Sequence, residues 1–132
     1  MTINLSAIGI WALRIIAALI MLQTLYFKFS AAPESVYIFS TLGMEPWGRI
    51  GIGTMELIAS LFILYPRTTA YGAVMGIGVM SGAIFYHLTK LGIVVMNDGG
   101  QLFAYALIVL LSCVWLAFIY RDDIFNLLKA NF

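Results

Sequence analysis

The sequence predicts an all-α integral membrane protein, a four-helix bundle with a short interfacial amphipathic helix between the first two spans. Three observations carry that prediction. The chain is 63% hydrophobic and 10% charged, whereas a soluble domain is about 25% charged. Its mean hydropathy is +1.01. Its apolar residues gather in four runs, each near the ~20 residues that cross a hydrocarbon core. We expect one membrane domain over residues 1–132, with spans at about 5–28, 48–65, 69–90 and 101–120.

The charge balance narrows the function classes. Seven basic and six acidic residues leave a net charge of +1. No basic run marks a nucleic-acid surface. Cys113 is the one cysteine, so an intrachain disulfide, a Cys-x-x-Cys redox pair and a thiolate metal site are excluded. A small buried apolar residue is the simplest role for it. No metal site is expected.

The first span is interrupted by Arg14 and closed by Lys28. Ser30-Ala31-Ala32 faintly resembles a cleavage site. However, no basic residue precedes the run, and the run exceeds the ~7–15 residues of a signal-peptide core. It is therefore read as a retained span.

Between Pro33 and Pro46, Val36, Phe39 and Leu42 fall at three-residue spacing, which predicts a short helix lying at the interface until Gly43 breaks it. Trp47 then suits an interfacial anchor. The second span ends at Tyr65-Pro66-Arg67-Thr68-Thr69, and Thr68 or Thr69 is expected to cap the third span. That span carries Gly72, Gly76, Gly78 and Gly82, two small-xxx-small pairs that let helices pack closely in lipid. Asn97-Asp98-Gly99-Gly100 predicts a turn, with Asp98 near the start of the fourth span. Past Arg121, Ile124, Leu127 and Leu128 mark a short amphipathic tail helix.

The second span sets the central problem. From Gly48 to Tyr65 it carries Arg49 near its start, Glu56 near its middle and no other charge. A carboxylate at that depth costs several kcal/mol unless it faces the protein interior, is paired or is protonated. The helical phase of the other polar residues supplies partners. Arg14, Ala18, Met21, Leu25 and Lys28 share one face of the first span. Arg49, Gly53, Glu56 and Ser60 share one on the second. Thr69, Ala73, Gly76, Met80, Ala83 and His87 share one on the third. On the fourth, Gln101, Tyr105, Ile108, Ser112 and Trp115 do so.

Counting ~1.5 Å per residue puts Arg14 and Glu56 within about 5 Å of the same depth. The expectation is therefore a buried Arg14–Glu56 pair, with Lys28, His87 and Asp98 toward the mouth of the bundle. Arg14, Lys28, Glu56 and His87 form the predicted buried polar stripe. Arg49, Gly53, Ser60, Met80, Gln101, Tyr105 and Ser112 are the expected ligand-lining residues. A plainer reading makes Glu56 a staple between helices, and His87 an interfacial hydrogen-bonding residue.

These residues resemble the DoxX family of small four-helix bacterial membrane proteins. The resemblance rests on a basic residue opening the first span, LYFKFS closing it, TLGMEP, then GTMELIAS on the second span. A glycine-rich third span ending in AIFYHL completes it. It implies the bacterial inner membrane and a link to quinone-dependent redox systems, while the count of four spans puts both termini on one side. It also implies a functional stripe at Arg14, Lys28, Glu56 and His87. The bundle further resembles the vitamin K epoxide reductase type, but one cysteine argues against disulfide-generating chemistry.

Two functions follow as expectations. In the first, the chain is a redox-associated subunit, without a redox centre of its own, that holds a quinone in a polar-lined bundle interior and works with a membrane or redox partner protein. Whether it is itself an enzyme stays open. In the second, it is a non-enzymatic scaffold that binds a partner or a second copy through the glycines of the third span. A proton path or transporter is weaker, because no span is broken by an internal proline.

Overall fold

The computed structural model describes residues 5–131. Among them the chain forms α1 (Leu5–Phe29), α2 (Pro33–Thr41), α3 (Trp47–Leu64), α4 (Thr69–Tyr86), α5 (Gln101–Ile119) and α6 (Arg121–Asn131). A single π-helical turn, His87–Leu91, extends α4. Four of these segments are long and apolar enough to cross a membrane: Ser6–Phe29, Trp47–Leu64, Thr69–Leu91 and Gln101–Ile119. The protein is an all-α, multi-pass membrane bundle.

Helix α1 packs on α3 and α5, and α4 packs on α3 and α5, which closes a four-membered ring. Short connections make chain neighbours antiparallel. The centre of the ring holds Met21, Ala59, Ile63, Ala73, Val109 and Leu116, all at 0% exposure. Trp11, Leu19, Phe85, Leu111 and Trp115 lie on the outside, where lipid rather than water receives them.

Small residues decide how close the helices come. A Cβ on Gly72 would lie 2.6 Å from the Ala59 carbonyl oxygen and 2.7 Å from the Ile63 nitrogen, so α3 and α4 touch backbone to backbone. A Cβ on Gly76 would lie 2.6 Å from Cys113 Sγ, which seats α4 on α5. Gly78 and Gly82 behave differently: nothing stands within 4 Å of a Cβ at either. Within the chain, the close helix contacts thus fall at the first glycine pair.

Helix α2 starts at Pro33 and stops where Gly43 takes φ +73°, a left-handed conformation that favours glycine. It touches α1, α3 and the π turn, and so roofs one end of the bundle.

The connection from α3 to α4 places Thr68 at the N-cap of α4, as expected, but no side-chain hydroxyl makes a capping bond there. Both hydroxyls donate backward instead, Thr68 Oγ1 to the Phe62 carbonyl at 2.9 Å and Thr69 Oγ1 to the Ile63 carbonyl at 3.0 Å. The last carbonyls of a helix have no partner within it, and here they outcompete the free N–H groups of the next one.

Candidate functional site

Glu56 is 2% exposed and faces α1. Lys28 Nζ lies 3.0 Å from its Oε1 and 3.3 Å from its Oε2, and Thr24 Oγ1 lies 3.1 Å from Oε2. Thr24 and Lys28 are one helical turn apart on α1, so both reach the same carboxylate. The pair is anchored at its rim by Arg49. That guanidinium donates from Nε to both oxygens of Glu45, at 2.8 and 3.1 Å, and from Nη1 to the Lys28 carbonyl. The start of α3 is thereby tied to the end of α1, which holds the Lys28 backbone in place.

The expected Arg14–Glu56 pair does not form. Arg14 is 2% exposed, and it donates from Nε to the Ile63 carbonyl at 2.8 Å and from Nη2 to the Leu64 carbonyl at 2.6 Å. Its guanidinium carbon also sits 3.7 Å from the centre of the Trp11 ring. The physical reason is the end of α3. Its terminal carbonyls carry the negative pole of the helix dipole and lack intrahelical donors. Ile63 stands about two turns, ~10 Å, beyond Glu56 along α3. Arg14 therefore serves the opposite end of the bundle from Lys28.

A cavity of about 680 Å³ opens beside the Lys28–Glu56 pair, bounded by α1, α3, α4 and α5 and roofed by α2. Its wall is mostly apolar, with Phe27, Ile38, Phe39, Ile52 and Val79 among its members. The polar groups on it include Thr24, Lys28, Glu56, His87, Gln101 and Tyr105. Of the residues expected to line a ligand, Met80, Gln101 and Tyr105 border this cavity. Gly78 and Gly82 also belong to the wall, which explains the empty space above them.

Arg49, Gly53, Ser60 and Ser112 lie off that wall. Arg49 is spent on Glu45 and Lys28, as described. A Cβ on Gly53 would lie 2.8 Å from Phe29 Cε1, so the residue is a packing point of α3 on α1. Ser60 Oγ donates to the Glu56 carbonyl at 2.7 Å within its own helix. Ser112 is buried beside Cys113 in the core.

His87 is 5% exposed. The π turn that it opens ends at Gly92, whose φ of +80° turns the chain back so that its carbonyl meets His87 Nδ1 at 2.9 Å. Phe103 of α5 holds the ring from one side, with centroids 5.5 Å apart and planes at 66°. The connection beyond Gly92 is stapled by Asp98. Its Oδ1 accepts from the Val95 and Gly100 amides at 3.0 and 2.8 Å, and its Oδ2 from Leu102 at 3.2 Å. Burial pushes the Asp98 carboxyl up. These three amides and nearby His87 outweigh that push and hold it below the usual 3.8.

Sequence spacing missed two of these features. Thr24 carried a signal, since it lies four residues before Lys28 on the same face. The Gly92 contact carried none, because a π turn has no periodicity to read.

No curated protein and no solved structure matches the chain. The family model described as the DoxX-like family matches residues 12–118. That stretch takes in Arg14 as well as Lys28, Glu56 and His87 on the cavity wall, and the chain belongs to the DoxX-like family.

Proposed function

We propose that this protein holds a lipophilic ligand of the quinone class in the cavity between α1, α3, α4 and α5, as a membrane subunit of a redox system. One observation carries the reading: a cavity of about 680 Å³, mostly apolar and set within lipid-spanning helices, has the buried Glu56 carboxylate with its Lys28 partner and His87 on its wall. Ligand pockets of about 300–1,000 Å³ with a few convergent polar groups are the usual form of such sites. Lys28 supplies a donor for a ring oxygen, and Glu56 and His87 supply proton acceptors.

A single cysteine and a single histidine provide no redox pair of the chain's own, so electrons come from a partner protein in this reading. The bacterial inner membrane, with both termini on one face, is the setting that the four spans and the family support. The scaffold alternative draws less support, because the chain itself fills the space beside Gly72 and Gly76.

The test is to purify the protein in mild detergent, extract its bound lipids and titrate the stripped protein with a short-chain quinone. A co-purifying quinone, and saturable binding weakened at least tenfold in Glu56→Gln, are expected. No quinone in the extract and no binding on titration would refute the reading.

A further inference from the structure

Beside the Lys28–Glu56 pair and the Gln101–Tyr105 contact, the cavity wall carries the imidazole of His87, whose Nε2 is the atom of interest. The Gly92 carbonyl can only accept a hydrogen bond, so the 2.9 Å contact to Nδ1 places a proton on Nδ1. In the neutral ring Nε2 is then a bare acceptor. Among the described residues no group bonds Nε2, and no fully enclosed side-chain nitrogen or oxygen lacks a partner. Nε2 is therefore not fully enclosed by protein, and His87 stands on the cavity wall. The ring cannot turn away without giving up both Gly92 and its contact with Phe103. Asp98, the anion that acts on His87 from the loop, has its oxygens committed to three amides.

From this we infer that His87 sets the redox-form specificity of the site. The cavity takes the hydroxyl-bearing, quinol form of its ligand in preference to the quinone. A quinol O–H donates to Nε2. A quinone offers only carbonyl oxygens, whose lone pairs face that of Nε2, and both are left unsatisfied in an apolar surrounding. The inference rests on the ligand class proposed above and adds a discriminating residue to it.

His87 is the one histidine in the chain, so histidine-selective ¹⁵N labelling reports it without assignment. At pH about 8, where an ordinary imidazole is neutral, the free protein should show a protonated Nδ1 and a bare Nε2. Adding a short-chain quinol under anaerobic conditions should shift the Nε2 resonance, and adding the matching quinone should not. By titration, the quinol should bind at least tenfold more tightly than the quinone. His87→Asn keeps an amide donor for Gly92 and removes Nε2, so it should equalise the two affinities. A proton found on Nε2, equal affinities in the unaltered protein, or a preference surviving in His87→Asn would each overturn the inference. Equal binding would leave the quinone reading standing, whereas binding of neither form would remove both. If His87→Asn fails to fold, the ¹⁵N spectra of the unaltered protein decide.

Discussion

Lys28, in the last turn of α1, holds its ammonium 3.0 Å from Oε1 of Glu56 in the middle of α3. The carboxylate is 2% exposed, so the cation is what makes an ionised Glu56 tolerable there. Lys28→Met should leave that charge uncompensated and cost about 3 kcal/mol. Lys28→Met combined with Glu56→Gln should recover at least half of the loss, because nothing charged is then buried. Denaturation in detergent micelles measures both. Additive losses in the double variant would show that the two residues do not act as a pair.

Arg14 should separate stability from ligand binding. Its two charge-assisted bonds to Ile63 and Leu64 hold the start of α1 to the end of α3. Arg14→Leu should cost about 2–3 kcal/mol. Arg14→Lys should cost less but still register, since a lysine lacks the fork that reaches two adjacent carbonyls. Neither change touches the cavity wall, so quinone affinity in the folded protein should stay within about twofold of its original value. A tenfold loss of affinity in either variant would place Arg14 in the ligand site after all.

The helices and their inward faces were legible in the sequence because hydrophobic runs and helical phase are properties of side chains. Glu56 and His87 were located that way, and both are buried. The partner of Glu56 was not. Counting residues along two spans treated Arg14 as a charge in search of an opposite charge. The carbonyls of Ile63 and Leu64, freed where α3 ends before Pro66, have no letter in the sequence and competed successfully for it. The glycines failed for a related reason. Spacing puts Gly72 and Gly78 on equal terms, yet only the first meets a neighbouring backbone.

Those two glycines should therefore respond differently to the same methyl group. Gly72→Ala brings a Cβ within 2.6 Å of a carbonyl oxygen and 2.7 Å of an amide nitrogen on α3. Neither backbone atom can move aside cheaply, and a loss of about 1–3 kcal/mol is expected. Gly78→Ala meets nothing within 4 Å, so it should be neutral or gain up to about 1 kcal/mol from helix propensity. Parallel unfolding of the two variants decides. Equal losses would mean that α4 is packed differently from the arrangement described.

Asp98 should make the loop over the cavity sensitive to acid. Its carboxylate collects the amides of Val95, Gly100 and Leu102, and removing such a side-chain acceptor at a helix start costs about 1 kcal/mol. The folded carboxyl titrates below the usual 3.8, while the unfolded one titrates at its ordinary value. As the pH falls, protons thus bind the unfolded chain first and drain stability from the native state. The contribution of Asp98 is complete at neutral pH, fades as the pH passes below the unfolded value, and is gone once the pH has dropped through the folded one. The stability gap between the unaltered protein and Asp98→Ala, followed by denaturation from pH about 7 down to about 3, should stay level at first and narrow only at the acid end. A gap that stays constant or widens at the acid end would show that the three amides do not favour the ionised carboxylate.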